Sequence, residues 1–394
     1  MCCTHFLRSK FLSTVGKRTS RRWSKMLPLL ILTALAILLT GCAAQPTSWA
    51  GMRVVEGVIY AADIQQVVAM QVQDDDSYPR EIWAFPPDPK EERLGLFYVT
   101  PAVSDEYVIV ASQVPASGFF SQPVNVVWAL DRETGQEVWR FNGARAQYVE
   151  GGAIAGDLFV IGNSDGNVYA LDLETGREVW RHKTAHRVWA TPLIHDDVVY
   201  IGSMDRHLYA LNLADGAVLW DFPADGAFAG TPAWEEGHLY IGAFDNRLYA
   251  IDAQTGTEEW RFEGSNWFWG GPVVHDGVVY AVDVDGNAYA VDAQEGVKIW
   301  KRSLDTTVRA GLALYVDEDS SQIFVGGQNG TLYALDAAEG FVMWSTSREG
   351  QILSPPVVAE DVVYTTVSFD AERIRAALTA NGRTIWVYPL PEQE

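Results

Sequence analysis

The stretch "GNVYALDLETGREVW" (residues 166–180) decides the fold of this chain. A run of strand-forming residues leads to Asp172 and a Thr-Gly turn, and a second short run then ends at Trp180. The same pattern returns in "RHLYALNLADGAVLW" (206–220) and in "NRLYAIDAQTGTEEW" (246–260). Alternating β-branched and aromatic residues between Gly, Asp and Asn turns predict antiparallel strands joined by tight hairpins.

Aligning the repeats on their last residue gives eight copies, which end at Trp83, Trp139, Trp180, Trp220, Trp260, Trp300, Trp344 and Trp386. A period near 40 residues is long enough for four strands in each copy. One such sheet cannot cover its own faces, so the copies must stack around an axis. The sequence therefore predicts an all-β, eight-bladed β-propeller of four-stranded antiparallel blades over residues 51–394.

Each repeat carries its own packing and turn residues. We expect the repeat tryptophans to fill the spaces between blades, and the turn glycines, such as Gly176, to adopt positive φ. The aspartates that precede five of these glycines are expected to bind nearby backbone amides; they are Asp131, Asp172, Asp252, Asp292 and Asp336. Blade 1 lacks the Thr-Gly turn, and the alignment puts Ala376 of blade 8 at the position of the repeat tyrosine.

The amino-terminal segment has the pattern of an export signal. Residues 1–41 hold seven Lys or Arg and no Asp or Glu, and an apolar run of 13 residues extends from Leu27 to Leu39. Such a run is shorter than the roughly 20 residues of a membrane-spanning helix and fits a signal peptide. It ends in "LTGC" (39–42), which resembles the lipobox of bacterial lipoproteins.

That resemblance implies that Cys42 is lipidated after removal of a signal peptide at 1–41. Residues 42–50 would then be a short lipidated tether, and the protein would attach to the membrane through this anchor. An ordinary signal peptide with an incidental cysteine is the alternative. Cys2 and Cys3 are the only other cysteines, so the mature chain would contain no disulfide.

The charge of the remaining chain excludes one class of partner. Residues 42–394 carry 22 basic and 51 acidic residues, a net charge of −29. Such a surface repels the phosphates of nucleic acids. We therefore expect no nucleic-acid partner.

The repeats resemble the PQQ-like repeat of quinoprotein alcohol dehydrogenase-like propellers, because blades 2 to 5 nearly match "YALDxxTGxxxW". Dehydrogenases of that family carry an adjacent Cys-Cys disulfide, a calcium ion and long insertions around the cofactor. The mature chain has no cysteine pair and no such insertions, so we expect neither enzymatic activity nor a cofactor. A degenerate dehydrogenase, or a quinone- or sugar-binding cell-surface protein, is the alternative.

No metal site is expected. The stretch "DVDGN" (283–287) looks like a calcium loop, but its counterparts "NSDGN", "SMDRH" and "AFDNR" indicate an ordinary hairpin turn. His195 and His275 share one repeat position and are interpreted as turn residues. No spacing of histidines or cysteines is typical of zinc.

Function is expected where the copies differ, in the loops that precede the innermost strand of each blade. These loops are rich in aromatic residues and arginine, the types enriched at protein–protein hot spots. The predicted partner-binding residues are Tyr98, Tyr148, Arg187, Trp189, Phe228, Trp267, Trp269 and Arg309. Phe97 and Phe268 belong to the same loops. Alternatively, some of these side chains point inward and plug the central channel.

A lipoprotein with eight PQQ-like blades resembles the BamB family of outer-membrane assembly scaffolds. The resemblance implies a bacterial cell-envelope protein whose loops bind a barrel-forming protein partner. More generally, we expect a non-catalytic, lipid-anchored, extracytoplasmic scaffold that binds a protein partner at the membrane. It would lie on the periplasmic side of an outer membrane or on the outer face of a plasma membrane.

Overall fold

The computed structural model describes residues 51–389 except 64, 74–76, 93, 98, 115–121, 319 and 371. The predictions for the signal peptide (1–41), for Cys42 and for the tether (42–50) concern residues outside this part. Within it, no helix has the length and apolar character to cross a membrane.

The first four blades are built from consecutive strands. Blade 1 comprises β1 (Met52–Val55), β2 (Val58–Asp63), β3 (Gln66–Gln71) and β4 (Arg80–Phe85). Blade 2 comprises β5 (Leu96–Phe97), β6 (Ala102–Val103), β7 (Tyr107–Val114), β8 (Val124–Asp131) and β9 (Glu137–Phe141). Blade 3 comprises β10 (Ala153–Ala155), β11 (Leu158–Gly162), β12 (Asn167–Asp172) and β13 (Glu178–Lys183). Blade 4 comprises β14 (Leu193–His195), β15 (Val198–Gly202), β16 (His207–Asn212) and β17 (Val218–Pro223).

The last four blades follow the same order. Blade 5 comprises β18 (Ala233–Glu235), β19 (His238–Gly242), β20 (Arg247–Asp252) and β21 (Glu258–Glu263). Blade 6 comprises β22 (Val273–His275), β23 (Val278–Val282), β24 (Asn287–Asp292) and β25 (Lys298–Ser303). Blade 7 comprises β26 (Leu312–Val316), β27 (Ser321–Gly326), β28 (Thr331–Asp336) and β29 (Val342–Ser347). Blade 8 comprises β30 (Val357–Ala359), β31 (Val362–Thr366), β32 (Ile374–Leu378) and β33 (Thr384–Tyr388).

These sheets form the predicted eight-bladed propeller. Apart from blade 2, the strands of each blade pair in chain order and antiparallel, and the first strand is innermost. The innermost strands of successive blades contact one another around the axis, and β1 meets β30 where the ring closes. Blade 2 departs from the pattern, because β5 follows the insertion at 86–95 and pairs with the far half of β7.

Adjacent blades are joined by the repeat tryptophan and the turn glycine. The indole Nε1 of Trp180 donates a hydrogen bond to the carbonyl of Leu213 in the next blade, at 2.7 Å. Gly216 of the same turn has φ +70, and a Cβ there would lie 2.5 Å from the Trp180 ring. The glycine therefore provides both the turn conformation and the flat surface on which the indole lies.

The same contact recurs from blade to blade. The other pairs of tryptophan and turn glycine are Trp83 with Gly135, Trp139 with Gly176, Trp220 with Gly256, Trp260 with Gly296, Trp300 with Gly340, and Trp344 with Gly382. Each of these tryptophans also donates its Nε1 hydrogen to a backbone carbonyl of the following blade. The expected packing role of the repeat tryptophans is thus confirmed at these seven junctions.

The eighth junction closes the ring in a different way. Blade 1 lacks the turn glycine, and Tyr78 lies edge-on to Trp386 at 6.4 Å between ring centroids. Tyr78 also stacks on Tyr388 at 6.2 Å. Apolar residues of both blades form one buried cluster beneath these rings, including Met70 and Ile374. Side-chain packing between two complete sheets therefore closes the ring.

The alignment of blade 8 was wrong by one residue. Strand pairing places Ala376 opposite Trp386, as Ala170 lies opposite Trp180, so Arg375 takes the tyrosine position. In blades 3 to 6 this tyrosine bonds a turn aspartate, as the Tyr169 hydroxyl does to Asp165 at 2.7 Å. In blade 8 the Arg375 guanidinium replaces that contact with an ion pair to Asp370 at 2.5 Å.

Replacing the turn glycine should destabilise the ring by more than backbone strain alone. We expect Gly216→Ala to lower the free energy of unfolding by about 1–3 kcal/mol beyond the cost of positive φ, since the methyl group meets the Trp180 ring. Gly277→Ala is the matched control, because Gly277 has φ +73 and a Cβ added there would meet no atom within 4 Å. Equal destabilisation of both variants in denaturant titrations would contradict the packing role of Gly216.

Removing the indole itself should be more costly. Trp180 is 7% exposed, so Trp180→Ala should lose about 3–5 kcal/mol of stability, as large core truncations do. The same denaturant titrations measure this loss. A change below about 1 kcal/mol would show that the junction contributes little.

Candidate protein-binding surface

The loops that precede the innermost strands lie together on one face of the ring. We call them the inner loops, at residues 147–152, 187–192, 227–232, 267–272, 307–311 and 351–356. Each accepts a backbone hydrogen bond from the turn between the second and third strands of its own blade. For example, Met204 N–H donates to the Arg187 carbonyl at 2.8 Å, and Val284 N–H donates to the Trp267 carbonyl at 2.9 Å. The inner loops and these turns therefore form one continuous surface.

At one position in each inner loop, the side chain points into the blade interior. Phe228 is fully buried and Tyr148 is 4% exposed. A Cβ on Gly202 would lie 2.5 Å from the Cβ of Phe228, so the aromatic residue occupies space that the glycine leaves free. Phe97 and Phe268 are buried in the same way.

The prediction that Tyr148 and Phe228 bind a partner is therefore wrong, because both side chains pack inside the blades. The physical reason is alternation: neighbouring side chains of an extended segment point in opposite directions. Tyr98 lies outside the described residues, so its predicted role stays a prediction.

The loop at 267–272 presents its tryptophans outward. Trp267 is 46% exposed and stacks on Phe244, with ring centroids 5.2 Å apart and planes at 11°. Trp269 is half-buried, contacts Phe244 at 5.0 Å and stacks on Trp189 at 6.3 Å. The intervening loop has the small residue Ala229 at the matching position, which leaves room for the two tryptophans to meet.

Two arginines extend this aromatic group on either side. The Arg187 guanidinium lies over the Trp189 ring at 5.8 Å, and that of Arg309 lies over Trp269 at 5.4 Å. Trp189 also donates its Nε1 hydrogen to Ser164 Oγ at 3.0 Å. The structure thus brings together five of the residues predicted from the sequence. With Phe244 they form the aromatic patch: Arg187, Trp189, Phe244, Trp267, Trp269 and Arg309.

Sequence reasoning missed Phe244, because "AFDNR" was interpreted only as a repeat turn. The turns of other blades carry Ser164, Met204, Val284 and Gln328 at this position. An aromatic residue at a turn tip was the available signal.

A small opening on the propeller axis adjoins the aromatic patch. Trp269 and Arg309 contribute to its wall, with Gly230 and Ala310 beside them. Glu150 reaches it from the inner loop of blade 3 and is half-buried. Burial raises the pKa of the Glu150 carboxyl to about 7. Sequence reasoning missed this glutamate as well, since it lies between the aromatic positions on which the prediction was based.

The stretch at 283–287 is a hairpin turn, as predicted. The Asp283 carboxylate is fully buried and accepts hydrogen bonds from the Asn287 N–H at 3.0 Å and the Tyr289 hydroxyl at 2.8 Å. Burial, with the contact to Asp283, raises the pKa of Tyr289 to about 12. Within the described residues, no three His, Cys, Asp or Glu side chains are grouped to hold a metal ion.

A family model described as outer membrane protein assembly factor BamB matches residues 123–227, 220–315 and 298–394. These overlapping ranges cover more than half of the chain. No protein with a curated description matches it.

Solved structures share the fold. A crystal structure of BamB from Moraxella catarrhalis has a TM-score of 0.66 and 20% identity, covering 82% of this chain and 92% of that one. The computationally designed Ika8 protein has a TM-score of 0.69 and 14% identity, covering 84% and 96%. The extent of the family match, on this eight-bladed fold, shows that the chain belongs to the BamB family of outer membrane protein assembly factors.

Proposed function

We propose that this protein is a non-catalytic scaffold of the cell envelope that binds a protein partner through the aromatic patch, in the manner of a BamB-type assembly subunit. The family description, an assembly factor, supports the process. The observation that carries the binding role is Trp267, a tryptophan that is 46% exposed and stacked on Phe244.

The aromatic patch has the composition and rigidity of a binding hot spot. Trp and Arg are enriched at such sites, where they fill well-packed, desolvated pockets of the partner. Stacking of Trp267 on Phe244, and of Trp269 on Trp189, fixes the rings before a partner arrives. Less side-chain entropy is then lost on binding, so more of the contact energy appears as affinity.

The arginines give the patch a local positive charge on an acidic protein. Arg187 and Arg309 are both exposed at the sides of the aromatic rings. The whole chain has a net charge of −22. This contrast would draw acidic groups of an approaching partner toward the two guanidinium groups.

The double substitution Trp267→Ala with Trp269→Ala should strongly reduce capture of the partner. Truncating hot-spot residues typically costs about 2 kcal/mol or more, a loss of roughly 30-fold in affinity. The tagged full-length chain would be used to pull partners from detergent-solubilised membranes, with thermal unfolding measured in parallel. Trp267→Ala alone should change the melting temperature little, because nearly half of this side chain is exposed to solvent.

The matched control removes exposed apolar side chains elsewhere. Val218→Ala with Leu219→Ala truncates two residues of the outermost strand of blade 4, which are 46% and 52% exposed. This variant should capture the partner normally. Normal capture by the double tryptophan variant, with normal stability, would remove the patch from the proposed function.

We further propose that Cys42 carries the lipid that anchors this scaffold. The lipobox-like "LTGC" at 39–42 supports the anchor. Cys42→Ser should abolish metabolic labelling with a radioactive fatty acid and leave the signal segment uncleaved. Cys3→Ser is the control and should label normally. Undiminished labelling of Cys42→Ser would disprove this anchor.

A further inference from the structure

The axial opening contains a carboxylate without a partner. Among the described residues, none forms a hydrogen bond or ion pair with Glu150. Its side chain faces the opening from blade 3, whereas the rest of the wall comes from the inner loops of blades 5 to 8. An unpaired, half-buried charge of this kind destabilises the folded protein unless something binds it.

Glu150 is an exception at its repeat position. The matching residues of the other inner loops are Ala190, Gly230, Gly270, Ala310 and Ser354. Small residues are required there because neighbouring loops nearly touch: a Cβ on Gly270 would lie 2.4 Å from the backbone nitrogen of Gly311. Packing explains the small residues but does not explain a carboxylate.

The surroundings of Glu150 suit a positively charged group. The Arg309 guanidinium already lies over the Trp269 ring of the wall at 5.4 Å, so the indole has its cation partner and the Glu150 carboxylate is the group left without one. The remaining wall is mainly glycine and alanine, whose small side chains leave an open path to the carboxylate. Two basic residues of the chain lie near the axis, Arg309 at the wall and Arg53 on the innermost strand β1. Neither is paired with Glu150.

We propose that the axial opening binds one guanidinium or ammonium group, which a basic side chain of the protein partner places against the Glu150 carboxylate. The identity of this partner rests on the proposed function, whereas the cation site itself does not. Trp269 belongs both to the aromatic patch and to the wall of the opening, so one partner segment can contact both.

The site should respond to pH near neutrality. The Glu150 carboxyl has a pKa of about 7, so it is mostly neutral at pH 6 and mostly ionised at pH 8. Arg309 and Arg53 stay charged over this range. Cation binding should therefore strengthen roughly tenfold from pH 6 to pH 8, following the ionised fraction.

The test uses small probes and needs no partner. Nα-acetyl-argininamide and its neutral isostere Nα-acetyl-citrullinamide would be titrated into the protein labelled with 5-fluorotryptophan. The ¹⁹F signal of Trp269, assigned by its loss in Trp269→Phe, would be followed by NMR. A saturable shift with the arginine probe at pH 8, and none with the citrulline probe, is expected.

A matched pair of variants tests the carboxylate. Glu150→Gln should weaken arginine binding at least about tenfold and remove its pH dependence, because the neutral amide cannot pair with the guanidinium. Glu174→Gln, which replaces an exposed acid far from the opening, should change nothing.

A stability measurement keeps the test independent of folding defects. The folded-state pKa of Glu150 is raised, so its ionisation destabilises the protein as pH rises from about 4.5 through 7. Glu150→Gln should therefore melt at a higher temperature than the native protein at pH 8, and at the same temperature at pH 4. Undiminished arginine binding by Glu150→Gln, equal binding of both probes, or no saturable shift at pH 8 would each overturn the cation site. None of these results would contradict the proposed function, which is tested separately by partner capture in the tryptophan variants.

Discussion

The contact of an indole with a glycine of the next blade is the constraint on which this structure depends. The tryptophan can lie flat only where no side chain projects, and the turn needs a residue that adopts positive φ. Glycine meets both requirements at once, as Gly216 does beneath Trp180. The hydrogen bond from the indole nitrogen then fixes the distance between blades, so seven junctions have nearly the same geometry. A rigid ring follows from one repeated contact.

This rigidity separates the scaffold from its functional face. Because the blades are fixed to one another, the outward side chains of the inner loops can differ from blade to blade while the buried side chains next to them keep the same packing. The buried position keeps large apolar residues such as Phe228 and Phe268, while the next position varies from Ala229 to Trp269. Ala229 lies between Trp189 and Trp269 in the order of the inner loops, and its small side chain leaves room for the two tryptophans to stack. The binding surface is thus built by size differences at equivalent positions.

The fold could be predicted because its determinants recur: eight copies of the strand and turn pattern leave little choice of architecture. The site was predictable only in part. Sequence spacing could select the inner loops, but it could not tell which of two adjacent aromatics faces outward, so Tyr148 and Phe228 were misassigned. Phe244 and Glu150 were not predicted. Phe244 lies in a repeat turn, and Glu150 lies at a position that small residues occupy in the other inner loops. The alignment in blade 8 erred by one residue, since Arg375 replaces tyrosine in a contact that depends on geometry rather than on residue type.

During synthesis the ring cannot close until blade 8 has been made. Every blade consists of consecutive strands, and blade 1 meets blade 8 through side chains such as Tyr78 and Trp386. Each new blade can dock on the one before it. The face of blade 1 that packs on blade 8, however, stays uncovered until β33 has emerged. That face includes Ile59 and Met70, which are fully buried in the finished protein. A nascent chain therefore exposes an apolar surface while blades 2 to 8 are synthesised, and this interval is when it is most open to aggregation or to chaperone binding.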